Sequence, residues 1–103
     1  MPNPHPRLLT LSPKELLVLE LLREQESYGL QLVAASSGRL KRGTVYVTLG
    51  RMEEKGFITS KLEAAPSGTG GLPRRIYAST PLGRRMFAAW TSGPKQLVPE
   101  FGR

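Results

Sequence analysis

The sequence contains few of the residue types from which enzyme and metal sites are built. Its 103 residues include no cysteine, no aspartate and one histidine, His5, which lies in a proline-rich leader. The absence of cysteine excludes disulfides and thiolate metal sites. Without aspartate or a second histidine, acid–base and nucleophilic catalysis have little support. We therefore predict neither an enzyme nor a site for a metal or cofactor.

Long apolar runs are absent as well. The first apolar segment, residues 16–22, is interrupted by Glu20 and followed by Arg23, and it is too short to span a bilayer. It also lacks the small-residue cleavage pattern of a signal peptide. Because a chain without cysteine is compatible with a reducing compartment, we predict a soluble cytoplasmic protein without a membrane partner.

Acidic residues are missing from two long stretches. The formal net charge is +7, and residues 27–52 and 64–99 contain no acid. The basic residues of these stretches are Arg39, Lys41, Arg42, Arg51, Arg74, Arg75, Arg84, Arg85 and Lys95. Two basic segments separated by a mixed one suggest two contact elements for the same polyanionic partner, and double-stranded DNA is the predicted partner.

A capping sequence marks the start of the first helix. Ser12 can cap the helix, Pro13 suits its first position, and Glu15 can reach back to the cap. The predicted helix runs to about Gln25, and residues 16–22 are more apolar than one core-facing stripe requires. We expect the second apolar face to contact another subunit; a thoroughly buried helix is the alternative.

The second helix and the segment after it have the spacing of a helix-turn-helix motif. The helix is predicted over residues 28–36, with Leu30, Val33 and Ala34 facing the core. Gly38 lies just beyond its end and is the predicted C-cap. The connection to the next helix is short, as a helix-turn-helix requires.

The third helix is the predicted DNA-reading element. It is expected over residues 43–55, and Val45, Leu49 and Met52 form its buried stripe. The candidate DNA contacts, on its outward face or in the preceding turn, are Lys41, Arg42, Thr44, Tyr46, Thr48 and Arg51, together with the apolar Val47. A helix with a basic N-terminal end and small polar groups on its outer face suits the DNA major groove. A solvated face that happens to lack acids is the alternative.

Two strands are predicted to form a hairpin, over residues 57–63 and 74–79. The linker between them is rich in Gly, Pro and Ser and is expected to be a mobile tip. Arg74 and Arg75 lie at the base of the second strand, where an arginine pair can contact the DNA backbone or the minor groove. An exposed charge pair without a ligand is the alternative.

A last helix is predicted to start at Thr80-Pro81 and to end at Gly93-Pro94. The predicted homodimer interface combines its apolar stripe with two residues of the first helix: Leu16, Leu19, Leu82, Met86, Ala89 and Trp90. A small planar aromatic effector is predicted to bind at this interface against Trp90 and Met86, because an indole can stack on an aromatic ring. A tryptophan that only fills the dimer core is the alternative.

This order of elements is that of a winged helix-turn-helix protein. The fold is predicted to be mainly α with a small β-hairpin, in the order three helices, two-stranded wing and C-terminal helix. The predicted divisions are a flexible leader, a winged-helix DNA-binding domain, a C-terminal dimerisation helix and a tail, over residues 1–11, 12–80, 81–93 and 94–103.

Several motifs together resemble the PadR family of bacterial and archaeal transcriptional regulators. They are Tyr28-Gly29, Gly43-Thr44-x-Tyr46-x-x-Leu49-x-Arg51-x-Glu53-x-x-Gly56-x-Ile58, Pro73-Arg74-Arg75-x-Tyr77, Thr80 and Gly83. The resemblance covers roughly residues 16–90 and implies a winged-helix homodimer that represses promoters, often released by a small phenolic or drug-like ligand. It also implies that Thr44, Tyr46 and Arg51 lie on the reading helix and Arg74-Arg75 on the wing.

The predicted function is that of a sequence-specific, DNA-binding transcriptional regulator, a ligand-responsive repressor that acts as a dimer. Two other classes stay open: an architectural protein that binds DNA without sequence preference, and a winged-helix module that binds another protein. Phosphate contacts dominate the salt dependence of both DNA-binding classes, so a footprint on a palindrome is needed to separate them. Absence of any DNA shift at low salt would indicate the protein-binding module.

Overall fold

The computed structural model describes residues 11–64 and 71–102. Most of the predicted leader, including His5, and the predicted hairpin tip lie outside these residues. Within them the chain forms the helices α1 (Pro13–Leu21), α2 (Gly29–Ala35), α3 (Val45–Glu54) and α4 (Pro81–Gly102), and the strands β1 (Ser27–Tyr28), β2 (Ile58–Glu63) and β3 (Arg74–Ser79). This architecture confirms the predicted winged helix, mainly α with a small β wing.

The wing is a three-stranded antiparallel sheet in the order β1-β3-β2 rather than the predicted two-stranded hairpin. β2 pairs with β3 from Ile58 opposite Ser79 to Glu63 opposite Arg74. β1 pairs with the other edge of β3, with Tyr28 opposite Ile76. A strand of two residues is too short for a recognisable alternation of apolar and polar residues, so sequence periodicity does not predict β1.

Helix α1 begins as its sequence predicts. The Ser12 hydroxyl accepts a hydrogen bond from the Glu15 N–H at 3.2 Å, and the Glu15 carboxylate accepts one from the Ser12 N–H at 2.9 Å. The helix ends at Leu21, earlier than the predicted Gln25. The chain leaves the helix there because it must turn to pair with β3 at Ser27.

The core lies where α1, α3 and the start of β2 meet. It contains the predicted stripe of α3 and, around it, Leu11, Leu17, Val18, Leu19, Leu22, Leu32, Leu40, Phe57, Ile58 and Tyr77. The stripe itself is almost fully buried, with Val45, Leu49 and Met52 at 1%, 0% and 0% exposure. This burial confirms the predicted stripe and fixes which face of α3 points outward.

The predicted inward face of α2 is wrong for Leu30 and Ala34, whereas Val33 packs against the core as predicted. Leu30 is 47% exposed and Ala34 is exposed, whereas Leu32 is 1% exposed and belongs to the core. Val33 is half-buried. The helix is only seven residues long and is oriented by β1 at its start, so it turns one narrow stripe to the core.

Leu19 was predicted to contact a second subunit but belongs to the core of the single chain. It is 1% exposed, and a Cβ added to Gly83 of α4 would lie 3.2 Å from its Cδ2 atom. Packing of α4 across α1 therefore covers Leu19 within the protomer. Leu16 is half-buried and packs at the edge of the core.

Helix α4 extends past its predicted end, through Gly93 and Pro94 to Gly102. The predicted tail is thus helical over most of its length. Glycine and proline weaken a helix interior by about 1 and about 3 kcal/mol relative to alanine, which lowers its stability without forbidding it. No helix in the described part of the chain is long and apolar enough to cross a membrane.

The start of α4 is tied to the chain just after α3. The Thr80 hydroxyl donates to the Gly56 carbonyl at 2.6 Å and accepts from the Gly83 N–H at 3.0 Å. The Thr80 N–H donates to the Phe57 carbonyl at 3.0 Å. Gly56 has φ +83°, as the glycine that ends α3. These contacts hold α3 and α4 in a fixed relation.

Candidate nucleic-acid interface

A buried serine fixes the turn that precedes α3. Ser36 is 0% exposed, and its hydroxyl donates to the Val33 carbonyl at 2.8 Å and accepts from the Leu40 N–H at 2.9 Å. Ser37 and Gly38 have φ values of 56° and 86°, so the chain reverses sharply here. The C-cap of α2 is Ser36 and not the predicted Gly38, and the reversal after it brings the basic turn to the start of α3.

The predicted reading face of α3 points outward. Tyr46 and Val47 are 49% and 56% exposed, and Thr48 is half-buried. Exposed side chains of the turn and of α3 are Lys41, Arg42, Thr44 and Arg51. The candidate DNA contacts of α3 and of the turn before it therefore form one continuous surface.

A further basic residue, from another helix, lies beside this face. Lys14, at the start of α1, lines a groove together with Thr44, Thr48 and Arg51, with a volume of about 290 Å³. Sequence patterns do not predict this position of Lys14, because it depends on how α1 packs across α3.

The Tyr46 ring packs directly on the backbone of α2. A Cβ added to Gly29 would lie 2.6 to 2.7 Å from two ring carbons and the hydroxyl oxygen of Tyr46. The glycine of the Tyr28-Gly29 motif is thus required for close approach, since any side chain there would displace Tyr46. Gly29 therefore positions Tyr46, a candidate DNA contact, although it has no side chain of its own.

The wing is joined to the last turn of α3 through Arg75. Its guanidinium donates to the Ser60 hydroxyl at 3.1 Å, and the Ser60 hydroxyl donates to the Glu53 carboxylate at 2.7 Å. Burial raises the pKa of Tyr77 above its ordinary value, and the nearby Glu53 carboxylate acts in the same direction. Arg75 thus lies on the side of the sheet that faces α3.

Arg74 lies on the opposite face of the sheet, because successive strand residues alternate. Its guanidinium carbon is 4.1 Å from the centroid of the Tyr28 ring. The Tyr28 hydroxyl donates to the Glu63 carboxylate, and this hydrogen bond is the main reason why the pKa of Tyr28 is raised above its ordinary value. The two wing arginines, treated as one pair in the sequence, therefore have different partners.

A cleft of about 320 Å³ separates the wing from the helix-turn-helix. Its walls include the rings of Tyr28 and Tyr46 and the side chains of Arg74 and Arg75. Both elements predicted to contact DNA therefore border one concave surface.

The predicted dimer and effector residues of α4 lie on its surface. Leu82 and Trp90 are 39% and 40% exposed, and Ala89 is exposed. Met86 is half-buried and packs against the core. The flat indole of Trp90 is thus accessible in the single chain.

Solved structures similar to this chain include PadR-family transcriptional regulators. One is from Clostridium difficile R20291, with 26% identity, a TM-score of 0.65, and coverage of 85% of this chain and 96% of that chain. Another is from Eggerthella lenta DSM 2243, with 29% identity, a TM-score of 0.67, and coverage of 84% and 76%.

A third similar structure is PadR from Bacillus subtilis in complex with operator DNA. It is 24% identical, with a TM-score of 0.67, and the match covers 81% of this chain and 49% of that chain. This likeness shows the shared fold. No curated protein sequence matches the chain.

The model of the PadR-like transcriptional regulator family matches residues 18–89. The match includes the turn, α3, the wing and the first part of α4. This family consists of transcriptional regulators and not of enzymes. Because the match spans well over half of the sequence, the chain belongs to the PadR-like family of transcriptional regulators.

Proposed function

We propose that the protein is a sequence-specific, DNA-binding repressor that acts as a cytoplasmic homodimer and responds to a small aromatic effector. The observation that carries the DNA-binding part is the outward face of α3. That face is free of acids from the turn to Arg51 and borders a wing with two exposed arginines. PadR from Bacillus subtilis, which shares the fold, forms a complex with operator DNA, and this supports DNA as the partner.

The dimensions of α3 suit the major groove. The helix has 10 residues, a length of about 15 Å, and a groove about 12 Å wide admits it. Thr44 and Thr48 can donate to or accept from base edges, and Val47 can contact a thymine methyl. We expect the exposed Lys41 and Arg42 to contact the phosphates beside the groove.

Arg51 is expected to contribute specificity, and the wing arginines general affinity. Arg51→Ala should relax the preference at one base pair and cost roughly 1–3 kcal/mol on the preferred duplex. Arg74→Ala and Arg75→Ala should weaken binding to all duplexes alike and flatten the salt slope by about one unit per lost phosphate contact. Selection from a randomised duplex pool, followed by titrations at several salt concentrations, measures both effects.

The exposed Arg85→Ala on α4 serves as the control for loss of one positive charge. An unchanged sequence profile for Arg51→Ala would assign that side chain to phosphate anchoring or packing. If the wild type bound every duplex with equal affinity, the architectural function would replace the proposed one. No binding at low salt would favour the protein-binding module.

The homodimer is proposed from the exposed apolar side chains of α4. We expect the double variant Met86→Ala/Trp90→Ala to sediment and scatter light as a monomer at micromolar concentration, because both side chains would lose their partner surface. DNA affinity should fall with it, since two reading helices about 34 Å apart bind as one unit only in the dimer. Leu62→Ala, at a 62% exposed wing residue, is the matched control. A wild-type monomer would refute the dimer.

The effector is proposed to bind at this interface against Trp90. A ligand can change DNA affinity only if it binds the DNA-competent arrangement and the alternative arrangement unequally. Titration of tryptophan fluorescence with phenolic compounds and planar cationic dyes, paired with DNA binding, tests the idea. Quenching without loss of DNA affinity would show that a ligand at Trp90 does not regulate DNA binding, and Trp90 would then have a role in packing only.

A further inference from the structure

We propose that Glu63 is a positioning residue for DNA binding, which acts through Tyr28 to hold Arg74 in the orientation that binds a backbone phosphate. The inference rests on the proposed function, because it assigns a role within the same interface. A carboxylate on a DNA-binding wing would by charge alone weaken binding to phosphates. The position of Glu63 in the sheet suggests instead that it strengthens DNA binding.

The strand register brings the three side chains together. Arg74 lies on the central strand, directly opposite Glu63 of β2. Tyr28 of β1 is opposite Ile76, two residues along β3 from Arg74 and therefore on the same face. Arg74 thus has Glu63 on one side and Tyr28 on the other.

The contacts form a chain from the acid to the arginine. The Glu63 carboxylate accepts the hydrogen bond of the Tyr28 hydroxyl, which holds the far end of the side chain in place beside Arg74. The Arg74 guanidinium carbon lies 4.1 Å from the centroid of that ring. A guanidinium stacked on an aromatic face keeps its N–H edges free for a phosphate, so the stacked side chain is already oriented for binding.

The surrounding cleft fits this use. The opening of about 320 Å³ is lined by Tyr28, Tyr46, Arg74 and Arg75. Two aromatic walls and two cations suit a phosphate with its flanking deoxyriboses, and the cleft adjoins the reading face. The backbone strand that α3 faces could therefore pass into it.

Two substitutions of the acid separate its charge from its hydrogen bond. Glu63→Gln and Glu63→Leu remove the same negative charge, but glutamine keeps an oxygen that can accept from the Tyr28 hydroxyl. Binding is measured on the duplex that the wild type selects, over a series of salt concentrations. Tyr28→Phe removes the hydroxyl alone, and Glu24→Gln and Glu24→Leu provide the same pair at an exposed acid after α1.

We expect Glu63→Gln to bind at least as tightly as the wild type. Glu63→Leu and Tyr28→Phe should bind roughly 3- to 10-fold more weakly, because Arg74 must then be immobilised on binding. Their salt slopes should also be shallower, by up to about 0.9 if the phosphate contact is lost completely. The two Glu24 variants should not differ from each other.

Equal affinities and salt slopes for the glutamine and leucine variants of Glu63 would overturn the inference and leave the proposed function intact. An equal further loss of affinity from Glu63→Leu in an Arg74→Ala background would show that Glu63 does not act through Arg74 and would overturn it too. Failure of the wild type to bind any duplex would instead overturn the proposed function, and the inference with it.

Discussion

Replacement of Gly83 by alanine is expected to destabilise the protein by about 3 kcal/mol. The added Cβ would lie 2.0 Å from the Phe57 carbonyl oxygen and 2.9 Å from its carbon. Both atoms belong to the backbone, so no side-chain rotation can relieve the overlap, and α4 would have to move away from the end of α3. The better helix propensity of alanine offsets only about 1 kcal/mol of this strain.

Gly50→Ala is the matched control for this change. Gly50 lies inside α3, and a Cβ added there meets nothing within 4 Å. Alanine should therefore stabilise the protein by roughly 0.5–1 kcal/mol through the lower entropy of the unfolded chain. Urea unfolding of both variants gives the two free energies. A Gly83→Ala protein as stable as the wild type would show that α4 does not pack against Phe57 as described.

Replacement of Lys55 by methionine is the second change with a large expected effect, and it should lower the free energy of unfolding by about 3 kcal/mol. The Lys55 ammonium lies 2.8 Å from the Glu15 carboxylate, and the two side chains are only 16% and 7% exposed. In this variant the buried Glu15 carboxylate loses its positively charged partner. It still accepts the hydrogen bond from the Ser12 N–H. A buried carboxylate that loses its cation costs more than the pair contributes.

A double-mutant cycle tests this account. Glu15→Gln should cost less than Lys55→Met, because glutamine preserves the capping box and the longer lysine can turn its ammonium towards water. The combination Glu15→Gln/Lys55→Met should recover most of the loss, since no unpaired charge remains. Strictly additive free energies of unfolding would show that the two residues do not act as a pair.

The features that sequence predicts well depend on neighbours within one or two turns. The cap at Ser12, the buried stripe of α3 and the reversal at Gly56 follow from local spacing and local backbone preference. The bounds of β3 were predicted to the residue, because Pro73 and the Thr80-Pro81 pair enclose it. The outward face of α3 then follows directly from its buried stripe.

Features that depend on strand register or on helix packing were not predictable in this way. The contacts of Tyr28 with Glu63 and Arg74 require β1, whose two residues carry no periodic signal. The burial of Leu19 and the exposure of Leu30 depend on how α4 and β1 orient their neighbours. Single-sequence patterns report which residues are apolar, but not which of two faces another element will cover.

The side-chain contacts between distant parts of the chain also have a consequence for how the protein is made. Glu15–Lys55, Tyr28–Glu63 and Gly56–Thr80 join residues that are 40, 35 and 24 positions apart. Such distant contacts form late, because a long loop must close before each one stabilises the chain. During synthesis, the helix-turn-helix is therefore complete in sequence well before β3 and the first turn of α4 arrive to fix it. In a nascent chain, the contact that ties the end of α3 to the start of α4 therefore becomes possible only after Thr80 has been synthesised.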